Sequence, residues 1–479
     1  MDLFRHAAAA GARPGGGLSA FPVKRLLLIA PLAPTSLFGA DFHFRLPCLG
    51  LLKVAALTPP DWEVVILDEA VQRIDFEQPA DLVGITAMTC TVKRAYEIAD
   101  RFRLRHIPVV MGGMHPSSLP DEALTHADSV VIGEAEGLWP CVLVDVDNGT
   151  RRPIYRHENG PPSLTHLPRP NWDLYRGRGY LPVHFIETTR GCPLDCEFCA
   201  VTTFFGGKYR NRPLDDVLAE LRGLRPFEGF VMKNMVFFVD DNIVSSRAHT
   251  RALLNRLADL GIQWLGHASV NLASDAEILQ LCQRSGCLGV FIGFETLSPE
   301  TMRSIGKKSR LRMQYLDAIQ KIHDHGIGID GSFVFGFDTD DEGVFERTLD
   351  FVTRARIEIP YFSILTPYPG TRLHDRLERE QRILHRDWSL YDTSHVVIRP
   401  RRLTVDQLQQ GYLQVFRQAY SQSCIAARMR HTTSCRPLFV PMNFGFRDGV
   451  ETLGRENDRA GGGAACAVAS TRANHAFPT

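Results

Sequence analysis

The sequence carries no excess of charge of either sign: 54 Lys and Arg are matched by 54 Asp and Glu. Binding nucleic acid irrespective of sequence, or an acidic membrane surface, needs a basic surplus, so neither is expected. No apolar run approaches the roughly 20 residues of a membrane-spanning helix. No disulfide framework is legible, because the 11 cysteines in 479 residues are odd in number and scattered from Cys48 to Cys466 with one tight group. That usage suits a reducing compartment, and a cytoplasmic location is expected. The first residues, an alanine run and then glycines, lack an apolar core for export.

What is present points to an α/β protein of two or three domains. Residues 1–22 are expected as a flexible tail. Five short Val-, Ile- and Leu-rich runs then alternate with helical stretches over 23–145. Near-continuous apolar strands between helices indicate a parallel sheet covered on both faces, here a flavodoxin-like, doubly wound domain. Its ligand is expected beyond the carboxyl ends of the strands. Residues 146–180, rich in Pro, Arg and Gly, read as a linker. Six further strand–helix repeats over 181–375 are too few for a closed eight-unit barrel and predict a partial (β/α)6 barrel, again with function at the strands' C-terminal ends. A small C-terminal domain is expected over 376–445 and a second flexible tail over 446–479.

The strongest chemical signal follows the first strand of the second domain, where Cys192, Cys196 and Cys199 are spaced C-x3-C-x2-C. Three thiolates so close can hold three corners of a 4Fe-4S cluster, which ordinarily takes four cysteines. With no fourth nearby, one iron is left open for a substrate or cofactor. A structural zinc site needs paired cysteines or histidines, a two-cluster ferredoxin needs further cysteine groups, and buried thiols rarely fall three in eight residues. Cys282 and Cys287 read as core thiols, and Cys424, Cys435 and Cys466 are too scattered for a second cluster.

The cysteine triad and its placement resemble the radical S-adenosylmethionine (SAM) superfamily, and the likeness extends over the whole second domain. The resemblance implies that Cys192, Cys196 and Cys199 ligate the cluster and form the catalytic centre. The open iron then chelates SAM, and reductive cleavage yields a 5′-deoxyadenosyl radical. It also implies that Phe198 packs near adenine, that Asp240 and Asp241 lie where the SAM amino group is met, that Glu295 meets ribose or methionine, and that the backbone from Gly331 to Gly336 lies along adenine. From the residues alone, the two aspartates could also cap a helix, Glu295 could be a surface acid, and the glycines could serve turn geometry.

The preceding sheet resembles the cobalamin-binding domain of cobalamin-dependent radical SAM enzymes, through Thr86 at the end of one strand, Gly112 and Gly113 after another, and Glu134 after a third. Glycines at strand ends let a flat macrocycle or its nucleotide tail approach the backbone. His115 reads as a loop histidine. The loop that supplies a histidine beneath cobalt in the wider cobalamin family has Asp68 here, but Ala70 and Arg73 where histidine and glycine stand. A weakly ligated cobalt suits methyl transfer. The resemblance, which includes hopanoid and related lipid methylases with a C-terminal extension, therefore implies a C-methyltransferase using a 4Fe-4S cluster, SAM and cobalamin. Oxidative cyclisation with the same cofactors is the alternative, and a non-catalytic cobalamin or redox sensor a third. A small-molecule or lipid substrate and a flavodoxin or ferredoxin reductant are expected. Tyr391, His395 and Arg399 are candidate substrate contacts that better suit structural roles.

Overall fold

The computed structural model describes residues 23–33, 45–175, 179–227, 232–305, 315–430, 432 and 434–459; the tail expected over 1–22 lies outside them. The first domain is a six-stranded parallel sheet of β1 (Lys24–Ala30), β2 (Trp62–Asp68), β3 (Leu82–Thr86), β4 (Val109–Gly112), β5 (Ser129–Ile132) and β6 (Ile154–Arg156), in the order β2-β1-β3-β4-β5-β6. Alternate residues of its central strands feed two separate cores. Leu27, Ile29, Val83, Ile85, Val109 and Met111 pack with Ala95, Ile98, Ala99 and Phe102 of the helix Val92–Leu104. Leu26, Leu28, Leu82, Val110 and Val131 pack with the helices Leu49–Leu57 and Trp139–Asp147. Burial on both faces is why these strands read as unbroken apolar runs. Removing one such side chain, as in Leu27→Ala, costs about 2–5 kcal/mol.

Two expected boundaries need correction. The segment 146–180 is not wholly a linker, because β6 lies inside it and pairs in parallel with β5. Three residues with only Tyr155 buried give no readable periodicity. The tail expected from 446 begins too early, since a helix runs Arg436–Arg459 and buries Phe439, Phe446 and Val450.

The second domain is a six-stranded, all-parallel partial barrel. Its strands are β7 (His184–Ile186), β8 (Met235–Phe238), β9 (Gln263–Ala268), β10 (Cys287–Glu295), β11 (Gly328–Phe335) and β12 (Ile359–Ile364), in spatial order as in the chain. Helices cover its outer face, where Trp264, Ile292, Phe294, Phe333 and Phe362 are sealed from solvent. The helix Val405–Ala419 lies along the open edge at β12, with Phe416 and Phe362 ring centroids 5.1 Å apart. A capping box between Thr404 and Gln407 starts that helix, satisfying two otherwise orphaned backbone donors.

Candidate active site

The loop leaving β7 is shaped by two carboxylates from the end of β8. Asp240, with no exposed surface, accepts hydrogen bonds from Thr188 N (2.6 Å), Thr188 Oγ1 (2.5 Å) and Thr189 N (2.7 Å). Burial nevertheless pushes its carboxyl up to about 7, against the pull of those donors. Asp241 accepts from Gly191 N at 2.9 Å. Gly191 has φ +84°, and a β-carbon there would lie 2.2 Å from the Lys208 carbonyl oxygen, so only glycine fits. The chain then presents Cys192, Cys196 and Cys199, all half-buried and none in a disulfide. Soft thiols on one braced loop are the donor set an iron–sulfur cluster takes.

Around this loop, the Phe198 ring lies 6.3 Å from that of Phe337. Gly336 (φ +105°) directs its own N–H and that of Phe337 to Asp340 Oδ2, at 2.9 and 3.0 Å. Glu295 ends β10 with φ +63°, where the register with β11 slips. A left-handed non-glycine residue at a bulge is strained backbone of the kind that gathers at functional sites. Gly331 lies apart from this group. A β-carbon there would meet Ile357 at 3.0 Å and Phe294 at 3.2 Å in the outer core, so its bare backbone serves packing.

A cavity of about 350 Å³ opens at the carboxyl ends of the first sheet. Thr86, Gly112, Gly113 and Glu134 all line it, while Glu187, Arg190, Phe204 and Phe205 close it from the barrel side. Gly113 (φ +99°) could not carry a β-carbon, which would lie 2.7 Å from the Ala87 carbonyl oxygen. Gly84, inside β3, leaves a bare patch where a β-carbon would lie 2.9 Å from Leu28. Such a slot, glycine-walled and mostly apolar, suits a flat organic group with a tail. Asp68 faces elsewhere: its oxygens accept from Tyr180 Oη (2.8 Å) and Ala70 N (2.9 Å). His115 is buried outside the cavity lining, 3.2 Å from Glu122.

Between loop and cavity lies a buried charge network. Arg190 pairs with Glu134, Glu136 and Glu187; Lys53 also pairs with Glu187, and Arg210 with Glu134. Burial works to raise the Glu187 carboxyl, but Lys53 and Arg190 prevail and hold it at about 2.

The Radical SAM superfamily profile matches residues 186–352 and the B12 binding domain profile residues 36–141. A domain of unknown function matches 371–442. Bacteriochlorophyllide d C-12(1)-methyltransferase of Chlorobaculum tepidum is 36% identical over 415 residues, covering 85% of this chain and 90% of that protein. The chain belongs to the cobalamin-binding radical SAM family.

Hopanoid C-2 methylase of Rhodopseudomonas palustris is more distant, at 28% identity, covering 76% of the chain and 72% of that protein. The fold is shared with a radical S-adenosylmethionine methyltransferase from Kitasatospora setae: TM-score 0.62, 16% identity, covering 91% of this chain and all of that one. This radical SAM protein is thus an enzyme, and its family's cofactors are a 4Fe-4S cluster, SAM and cobalamin. No helix among the described residues is long and apolar enough to cross a membrane.

None of the remaining candidates among the described residues lines the cavity. Tyr391 is fully buried and donates to the His385 carbonyl at 2.7 Å, His395 leans on Asp392 at 3.0 Å, and Arg399 is exposed. Cys282 and Cys287 are buried in the core. Cys424 lies 3.5 Å from Thr353, Cys435 is half-buried, and Cys466 is outside the described residues. Sequence reasoning missed Lys53, Gly84, Arg190 and the Phe204–Phe205 pair. Only Gly84 left a signal, as a glycine interrupting a strand.

Proposed function

We propose that this enzyme transfers a methyl group to an unactivated carbon of a tetrapyrrole of the bacteriochlorophyllide class. The observation that carries this is the 36% identity to a bacteriochlorophyllide d methyltransferase, spread over 90% of that protein. When bound, the cluster and SAM supply a carbon-centred radical that removes a hydrogen atom, and the corrin supplies the methyl group.

The chain's own residues hold and aim these groups. Cys192, Cys196 and Cys199 would ligate the cluster. Asp240 and Asp241 brace their loop, and Phe198 with Phe337 forms an aromatic shelf beside it for adenine. Glu295 and the Gly336 turn are the SAM-facing positions at the mouth. Thr86, Gly112, Gly113 and Glu134 line the cobalamin slot, and the Arg190 network fixes that slot against the barrel mouth. With Ala70 in the loop after Asp68, that loop would offer a bound cobalamin no histidine ligand. A flavodoxin or ferredoxin supplies electrons, in a cytoplasm that keeps the three thiols reduced.

The test is anaerobic turnover of the reconstituted enzyme with methyl-labelled SAM and bacteriochlorophyllide d. The expected product carries the label and has gained one CH2. Deoxyadenosine without labelled product overturns methylation, and a product that lost hydrogen without gaining carbon indicates oxidative cyclisation.

A further inference from the structure

The inside of the barrel is a lined cup. Along β9 to β12 the outward residues are sealed, whereas His267, Phe291, Asp330, Val334 and Tyr361 are partly exposed. Period-two alternation puts this second set on the inner face, so the inner face borders open space. Four of its rings form a continuous wall. Phe237 lies 5.1 Å from His267, His267 lies 5.2 Å from Phe291, and Phe291 lies 6.4 Å from Tyr361. The floor is closed from below by Phe439 of the last helix, whose ring fills the space left at Gly289 and Gly328. The top lies just under the cluster loop, because His267 Nδ1 is 3.1 Å from the Asp240 carbonyl oxygen. That contact makes Nδ1 the donor, and burial lowers the ring's basicity, leaving a neutral imidazole with Nε2 as an acceptor.

One carboxyl interrupts this apolar wall. Asp330 stands beside Phe291 in the strand register, at the level of His267. Its Oδ1 is buried and has no hydrogen-bond partner among the described residues. Such an oxygen is destabilising unless something pairs with it. No cation among the described residues offsets the desolvation, and burial pushes the carboxyl up to about 8. At neutral pH the group is therefore largely a neutral acid, able to donate one hydrogen bond and accept others.

We propose that Asp330 is a substrate-positioning residue: it hydrogen-bonds a hydroxyl or carbonyl substituent at one edge of an otherwise apolar ring system, whose face lies against Phe237, Phe291 and Tyr361. The proposal rests on the tetrapyrrole reading above and deepens it. It makes Asp330 the determinant of which edge of the macrocycle enters the barrel, and so of which carbon lies under the cluster loop.

The probe is bacteriochlorophyllide d, titrated into the reconstituted holoenzyme and followed by quenching of its fluorescence. Asp330→Leu is expected to weaken binding by about tenfold or more and to raise KM more than it lowers kcat. Asp330→Asn keeps a neutral donor and acceptor of the same shape and is expected to rescue binding to near wild type. Iron content and melting temperature serve as the fold control for both variants. Equal binding by wild type and Asp330→Leu overturns the anchor and leaves the tetrapyrrole reading standing. Loss of iron and binding together in both variants overturns the anchor in favour of a purely structural role. No binding by the wild type overturns both readings at once.

Discussion

At the scale of single residues, the acids at the strand ends show what spacing does and does not convey. Asp240 and Asp241 were legible as paired carboxylates beside the cysteine loop, but no pattern says which way a side chain turns. Asp240 turns inward and spends both oxygens on Thr188 and Thr189. Asp240→Ala strands two buried N–H donors, which costs roughly 2–4 kcal/mol. Asp240→Asn keeps an oxygen at the Oδ1 position, which accepts from both Thr188 N and Thr189 N, and should lose only a minor part of that. Anaerobic guanidinium unfolding measures the loss, and iron per chain should fall in the same order. If both variants kept full iron and wild-type stability, the bracing role would be wrong. Asp330 offers a pH test of a different kind. Its folded pKa is raised from an ordinary 3.8 to about 8, so between those values the native chain holds a proton that the unfolded chain releases. Stability from this group is present below about pH 4 and is lost as pH rises toward 8. Asp330→Asn should flatten that decline by on the order of 1–3 kcal/mol, discounted for water reaching the cup. An unchanged slope in the variant would show that the carboxyl is not desolvated.

At the scale of elements, legibility followed burial on both faces. Strands such as Leu82–Thr86 and Ile359–Ile364 read directly because nearly all their residues are apolar and covered. The partial barrel's six strands were counted correctly for that reason. The sixth strand of the first sheet escaped notice because it is three residues long. The last helix escaped because Pro441 stands inside it and Gly445, Gly449 and Gly454 dilute its pattern. Tertiary packing of Phe439 and Phe446 overrides those breakers. The element most exposed to a single change is the loop carrying the cysteines. Gly191→Ala forces a β-carbon into the Lys208 carbonyl at a positive φ. Backbone on both sides cannot yield cheaply, and the strain alone is about 1–3 kcal/mol. The expected outcome is a folded chain with sharply reduced iron uptake and a smaller loss of cobalamin, because Arg190 beside Gly191 closes the slot from the barrel side whereas Thr86, Gly112 and Gly113 on the first domain are untouched. Measuring both cofactors by absorbance after reconstitution separates the two effects. Normal iron in this variant would mean that the loop is more pliant than its contacts indicate.

At the scale of the whole molecule, one arginine joins the two halves of the chemistry. Arg190 precedes the cysteines by two residues, yet it pairs with Glu134 and Glu136, which follow β5 on the other domain. The cobalamin slot and the cluster loop are thus set relative to each other by a buried ion network, in addition to apolar packing. The sequence announced both sites but not this bond, because ion pairs between residues more than fifty positions apart leave no local periodicity. Arg190→Gln leaves Glu136 without its guanidinium, whereas Glu187 keeps Lys53 and Glu134 keeps Arg210. Breaking one side of a buried network costs roughly 3 kcal/mol. The sign of the accompanying pH effect follows from Glu187, whose carboxyl is held at about 2 instead of 4.5. Its stabilising contribution is complete above about pH 4.5 and is lost as pH falls toward 2. With Arg190 gone the carboxyl relaxes upward, so the acid-unfolding midpoint should move to higher pH by on the order of one unit. Hydrogen exchange should rise in the helix Leu49–Leu57 and around residues 133–137, while the outer barrel strands stay protected. Cobalamin should bind and leave faster, since Arg190 and Glu187 themselves close the slot from the barrel side. If exchange and acid midpoint were both unchanged, the domains would be held by packing alone, and the network would have to be read as a charge-neutral lining of the slot.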